Sequence, residues 1–321
     1  MATMSEHTPA ARTVDTIRSK TLTLNCIGAG RAGSTLCRLL SSYIEINQVV
    51  NRTKLSADQA VEFITAGEAV SISDQSYVGL KCADIWMLAC PDDQLQSVGD
   101  SLLSSGVLQS GNILFHCSGV LSSTIFTQAR SIGVNIASLH PAHSFANPES
   151  SLKSFIGTSC AIEGDTQATL LLSRLFEDIG ANVFPIDRDK KSLYHASMVM
   201  ACNNLVSLLE LSKLMLTQSG IDTKKQHNPM QALVQQTLDN YFDGNAQSAL
   251  TGPISRGDIK TVETHLRALK NTPDTWQQVY SGLGRIAVDI SATQGKASHK
   301  DLQIITQLLK PDTQTTPDIK G

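Results

Sequence analysis

From residue 21 onward, short apolar runs alternate with longer stretches in which apolar positions recur every three to four residues. The short runs predict strands at Leu22–Ile27, Gln48–Asn51, Ile85–Ala89, Ile113–His116, Asn135–Leu139, Ser159–Glu163 and Asn182–Ile186. Between them, Ala32–Ser42, Ala57–Ala66, Gln94–Ser104 and Thr166–Ile179 carry helical periodicity. Strands alternating with helical stretches predict β-α-β units with right-handed crossovers, and so a mostly parallel sheet.

After Asp187 no further strand pattern occurs. Residues 189–219 read as one long helix, apolar on most faces through Leu193, Met198, Val199, Met200, Leu205, Leu208, Leu211 and Leu214. Such a helix is expected to be buried, inside its own domain or across a subunit interface. Asn228-Pro229 and Thr272-Pro273 each place an N-cap residue before a proline at the first helical position, and Ser298-x-x-Asp301 resembles a capping box. Gly244 is a stop signal. The expected organisation is a loose tail over 1–20, an α/β domain over 21–187, an all-α domain over 188–310 and a second tail over 311–321.

Composition narrows the function classes. The 26 Lys+Arg against 29 Asp+Glu give a net charge of −3, so there is no basic excess for nucleic acid. Aromatic residues are 5%, too few for base-stacking platforms. Apolar runs are broken by Asn, Ser or charge before ~20 residues, and no membrane span is expected. The seven cysteines are scattered without a C-x-x-C, and the first 20 residues have no apolar leader segment. A reducing compartment, the cytoplasm by default, fits that usage.

The first predicted strand runs straight into Gly28-Ala-Gly30-Arg31-Ala-Gly33 and a helix. In this context a G-x-G-x-x-G pattern is a dinucleotide fingerprint. Gly28 makes the tight turn, Gly30 admits a pyrophosphate to the backbone, and Gly33 lets the helix pack on the strand. Arg31 belongs to the same turn. The second strand ends in Asn51-Arg52-Thr53-Lys54, with no carboxylate for a ribose 2′-hydroxyl. Arg52 and Lys54 suit a 2′-phosphate instead, with Asn51 and Thr53 as hydrogen-bond donors, and the expected cofactor is NADP(H). A solvated turn with incidental charge is the alternative. Two more strand ends are expected beside the nicotinamide: Cys90-Pro91-Asp92-Asp93, where the two acids serve as helix caps, and His116-Cys117-Ser118-Gly119, where Ser118 could hold the ribose or carboxamide.

With these residues in hand, the chain resembles the family that joins a Rossmann-like domain to a DUF2520 domain, related to β-hydroxyacid dehydrogenases, ketopantoate reductases and pyrroline-carboxylate reductases. The resemblance covers most of 20–310 and includes Ser138-Leu-His-Pro-Ala-His-Ser-Phe145, Lys191-Ser-Leu-Tyr-His195 and Thr251-Gly-Pro-Ile-Ser-Arg-Gly-Asp258. It implies a Rossmann domain followed by a helical domain that commonly dimerises, and NAD(P)-linked reduction. Some members resemble an alternative class of ketopantoate reductase.

Reduction also needs a proton donor. Lys191 and His195 are four residues apart and project to one face of the long helix, unlike Lys190. In the related dehydrogenases the matching lysine is the general acid and is followed four residues later by Asn; here His195 stands in that position, and it is itself a good acid near neutral pH. Asn203, on an apolar stretch, is expected to meet a partner or ligand. Arg256 suits bidentate capture of a substrate carboxylate, Asp258 suits an N-cap, and His140 could line the substrate pocket. His140 and His143, with His116, lack the spacing and the carboxylate of a metal site, so no metal is expected. The function expected is NADPH-dependent reduction of a small 2-oxo acid, ketopantoate being the named candidate. Reduction of a cyclic imino acid and a non-catalytic NADP(H) sensor are the alternatives, and a homodimer is the expected assembly.

Overall fold

The computed structural model describes residues 21–72, 74, 76–222 and 230–311. The chain divides into two compact units, Met1–Asn203 and Asn204–Gly321. The expected tails and the Asn228-Pro229 helix start fall on residues outside this description, apart from Pro311.

The first unit is built on one eight-stranded sheet. Its elements are β1 (Thr23–Ile27), α1 (Arg31–Leu40), β2 (Glu45–Asn51), α2 (Lys54–Ile64), β3 (Glu68–Ser71), β4 (Ile85–Leu88), α3 (Asp92–Ser105) and β5 (Ile113–His116). After a 3-10 segment over Ser123–Ile132 come β6 (Asn135–Pro141), α4 (Pro148–Ser154), β7 (Ser159–Gly164), α5 (Thr166–Asp178), β8 (Asn182–Pro185) and α6 (Lys191–Ala201). The strand order is β3-β2-β1-β4-β5-β6-β7-β8. Neighbours pair in parallel except β6 with β7. The α/β, mostly parallel expectation is met. The edge strand β3 carries no sequence signal, because Glu-Ala-Val-Ser is short and only half-buried.

Residues Ile-Trp-Met-Leu of β4 are buried on both faces of the sheet. Ile85 and Met87 join a core with Leu36, Phe115 and Phe176, while Trp86 and Leu88 join one with Leu95, Leu114 and Phe126. Helices on both faces explain why these strands read as unbroken apolar runs. The order reverses between β1 and β4, and ligands of open α/β sheets bind outside the carboxyl ends of the strands at such a switch point.

The second unit contains α7 (Asn203–Gln218, shared at its first residue), α8 (Gln231–Asp243), α9 (Ala246–Ala249), a 3-10 turn over Ile254–Arg256, α10 (Ile259–Leu269), α11 (Asp274–Gln294) and α12 (His299–Leu308). Its core is small, built from Ile254, Val262, Val288, Leu302, Ile305 and Leu309. Asp258 caps α10 by accepting from the Thr261 N–H at 3.1 Å, and Ser298 caps α12 by accepting from the Asp301 N–H. Gly244 ends α8 as its sequence signal predicts. Pro273 itself occupies the N-cap of α11, one residue later than expected. Asp92 and Asp93 sit in the first turn of α3 without a side-chain cap bond, so they act there through the positive end of the helix dipole.

The expected single helix over 189–219 is interrupted at Cys202, the C-cap of α6, and resumes as α7 at Asn203. It is also not buried: Lys191 is the one buried residue of α6, and α7 has none. Leu193, Val206 and Leu214 are exposed, because no described element covers the apolar faces on which they lie. By length and composition the stretch Arg188–Gln218 is long and apolar enough to cross a membrane, a test that the core helix of a soluble protein also passes.

Candidate active site

The carboxyl edge of the sheet is the place to look, and its register sets the order of groups along it. Leu88, His116 and Ser138 are paired across β4, β5 and β6. Two residues further on, Cys90, Ser118 and His140 follow in the same order, with Gly28 beyond β1 on the other side.

A cleft of about 890 Å³ opens beside Gly28, Gly30, Arg52, Tyr77 and Cys90. Gly28 has φ +85°, and a Cβ there would lie 2.7 Å from the Cys90 nitrogen. At Gly33 a Cβ would meet the Ala89 Cβ at 2.9 Å, so α1 packs against the end of β4 only because this residue has no side chain. A Cβ at Gly30 would meet nothing within 4 Å. Backbone there faces open space at the N-terminus of α1, whose first turn carries no acid. Among the described residues no carboxylate lines the cleft, and the exposed Arg52 stands at its rim. These features fit the phosphates of a dinucleotide. Arg31 and Pro91 line the cleft as expected, and burial holds the Cys90 thiol protonated by raising it to about 12.

Four of the candidate side chains also make local contacts, Asn51 and Thr53 at the wall of the cleft and Lys54 and Ser118 outside its lining. The Asn51 amide donates to the carbonyls of Ala29 and Ser56, the latter at 2.9 Å. The Thr53 hydroxyl caps α2, accepting from the Ser56 N–H and donating to Ser56 Oγ. Short polar side chains satisfy the local backbone first, so both are engaged in shaping the strand tip. Lys54 is held by Asp58 at 2.8 Å, which leaves Arg52 as the phosphate candidate. Ser118 does not line the cleft: its Oγ accepts from the N–H groups of Val120 and Leu121 at 3.2 and 3.0 Å and builds the turn after β5.

Beyond that turn lies a cluster of buried polar groups. Lys191 is 1% exposed, and its ammonium donates to the Ser118 carbonyl at 2.9 Å and to Ser138 Oγ. Burial lowers Lys191 from 10.5 to about 8, opposed by the nearby Glu163 carboxylate. Glu163, itself buried, accepts from the backbone and hydroxyl of Ser123 at 2.6 and 2.8 Å. Burial and the Lys191 charge hold His116 neutral, near 3. One helical turn on from Lys191, Tyr194 meets His140 Nδ1 through its hydroxyl at 3.2 Å, and the His195 and His140 rings lie edge to face at 5.7 Å. A Cβ on Gly119 would strike the His195 ring and come within 2.9 Å of His140 Nε2.

The structure thus brings together Lys191, His195 and His140 and adds Tyr194, Ser138 and Glu163. Tyr194 was legible, since it shares the helix face of Lys191 at i+3; Ser138 shares the strand face of His140 at i−2. Glu163 reaches the cluster from β7, and nothing local in the sequence signals that. Asn203 is exposed at the interruption after α6, not a buried amide as expected. Arg256 is exposed in the second unit, beside Asp258. His143 turns away toward Thr158 and Ser154, apart from His140.

The lowered proton affinity of Lys191 has a consequence for stability. Below about pH 8 the lysine is charged in both folded and unfolded chains, and burial of the charge opposes folding in full. Between about 8 and 10.5 the unfolded chain binds more protons, so stability rises with pH. Relative to Lys191→Met, the wild type is expected to gain on the order of 3 kcal/mol across that window, since one proton bound differently is worth about 1.4 kcal/mol for each step of one in pH. Urea unfolding of both proteins at the two ends of the window measures it, and a constant difference refutes the expectation.

No curated protein matches the chain in sequence. Among solved structures, a protein of Thermotoga maritima is 26% identical over 84% of this chain and 99% of its own, with a TM-score of 0.67. A Bacteroides fragilis protein designated a candidate NADP oxidoreductase is 19% identical over 85% of this chain and 98% of its own, at 0.60. A pyrroline-5-carboxylate reductase of Coxiella burnetii is 15% identical over 91% and 100%, at 0.53. The latter two are likenesses of fold. Residues 7–141 match the model of a Rossmann-like domain, and residues 158–287 match a domain of unknown function, DUF2520. The chain thus matches a Rossmann-like domain followed by a DUF2520 domain.

Proposed function

We propose that this protein is an NADPH-dependent oxidoreductase that reduces a small carboxylate-bearing 2-oxo acid, with 2-dehydropantoate the first substrate to test. The observation that carries the reading is the order of groups along the sheet edge. Arg52, the glycine turn, Cys90, the Ser118–Gly119 turn and the Lys191–His140–His195 cluster follow one another from β2 to β6. Arg52 and the glycine turn would hold the phosphates of a dinucleotide, and the Ser118–Gly119 turn and the polar cluster come next along the same edge. When bound, the cofactor supplies hydride to the carbonyl or imine carbon.

The chain's own residues supply the proton. Lys191, lowered to about 8, is close enough to the working pH to give up and regain a proton, as a lysine at 10.5 is not. His195 stands four residues away on the same face. The pyrroline-5-carboxylate reductase likeness favours a second reading, reduction of a cyclic imino acid, which needs the same proton. Asn203 and Arg256 stay in this reading as substrate contacts on their chemistry alone. The exposed apolar faces of the helical unit, among them Val206, Leu214, Leu233, Phe242 and Ile286, support a C2 homodimer built on that unit. Seven free cysteines among the described residues suit a reducing compartment such as the cytoplasm.

A panel of oxo and imino acids, followed by NADPH absorbance, tests the activity. Tight cofactor binding with no turnover of any of them would favour a sensor. NADPH is expected to bind at least tenfold (~1.4 kcal/mol) tighter than NADH, since a charge-assisted contact contributes about 1.5–3 kcal/mol. Arg52→Ala should shrink that preference, and equal wild-type affinities refute the assignment. Lys191→Met and His195→Gln should each lower kcat by about 10²–10⁴-fold without loss of NADPH binding, the lysine change costing more. The wild-type rate should then decline above about pH 8. If both variants keep full kcat, the proton comes from elsewhere. Light scattering at micromolar concentration should give the mass of a dimer; a monomer there ends the proposal of a homodimer.

A further inference from the structure

Lys191 is almost wholly withdrawn from solvent, and both of its oxygen partners belong to the protein. The polar groups left facing outward at this part of the edge are the half-buried imidazoles of His140 and His195. The two nitrogens of His140 are not in equivalent surroundings. Its Nδ1 meets the Tyr194 hydroxyl at 3.2 Å, while Nε2 lies over Gly119 beside the His195 ring, so close that a Cβ on that glycine would come within 2.9 Å of it. Tyr194 is held on several sides: Lys191 anchors the start of its helix, and its ring stands edge-on to His140 at 5.7 Å and to Phe184 at 6.2 Å.

A neutral imidazole carries one N–H. A phenol that donates to Nδ1 leaves that hydrogen on Nε2, which satisfies its own O–H and aims the ring's single donor across Gly119. Burial, the Lys191 cation and His195 together lower His140 to about 4, so the ring is neutral across the physiological range. Burial also raises Tyr194, so the phenol keeps the hydrogen it donates.

We propose that His140 is the substrate-facing hydrogen-bond donor of this site, offering Nε2–H to the oxygen or nitrogen of the bond being reduced, and that Tyr194 is a positioning residue that fixes this tautomer. The inference rests on the reductase reading above. A neutral donor adds no net charge to the ground state, and its hydrogen bond strengthens as negative charge grows on the heteroatom. The proton itself still comes from the Lys191–His195 pair.

Two measurements test this. Long-range ¹⁵N–¹H correlation spectra of the ligand-free protein at neutral pH, with His140 assigned by the signals lost in His140→Gln, should give the Nε2–H tautomer. In Tyr194→Phe the two tautomers should mix. An Nδ1–H ring in the wild type, or an unchanged spectrum in Tyr194→Phe, overturns the proposal whether or not any substrate has been found. With the best substrate of the oxo- and imino-acid panel, Tyr194→Phe should lower kcat about tenfold and leave the KM for NADPH unchanged. His140→Gln, whose amide falls near Nε2, should keep at least tenfold more kcat than His140→Asn, whose amide falls near Nδ1. Equal losses in the two overturn the donor role. Failure of every oxo and imino acid instead overturns the reductase reading, and the tautomer stands or falls on the spectra alone.

Discussion

An ammonium group does not stay in a protein interior without oxygen partners, and Lys191 finds two, one in the turn after β5 and one on β6. Ser118 contributes a carbonyl that its own turn leaves free, because the serine hydroxyl caps Val120 and Leu121. Ser138 contributes an oxygen from the sheet face it shares with His140. The rest of the edge follows from that anchoring. Once the start of α6 is fixed there, helical spacing delivers Tyr194 to His140 and His195 to the space above Gly119.

The same anchoring explains why α6 belongs to the sheet unit. Strand patterning ends at residue 186, and an apolar helix follows, so the sequence puts a domain boundary near 187. Contacts put it after Asn203. The information that moves it is a hydrogen bond spanning 73 residues, which no local pattern carries.

What was legible was what depends on neighbours in the chain. The buried strands announce themselves by continuous apolar runs, the helix caps by Asp258 and Ser298, and the dinucleotide turn by Gly28 and Gly33, whose missing side chains are explained by Cys90 and Ala89. The less legible assignments concern polar side chains with two possible uses. Asn51 and Thr53 line the cleft while Ser118 lies outside it, and all three are bonded to the backbone of their own turns. The long apolar helix was read as buried because hydrophobicity reports only the tendency to leave water. It does not say which surface does the covering.

All the groups of the polar cluster lie within the first 203 residues. The buried lysine, its two oxygens and the histidine pair therefore need no residue of the helical unit. That second unit has a small core and many uncovered apolar side chains. The sheet edge thus precedes in the chain the segment least able to bury its own apolar surface, so the hazard of misassociation is concentrated in the helical unit.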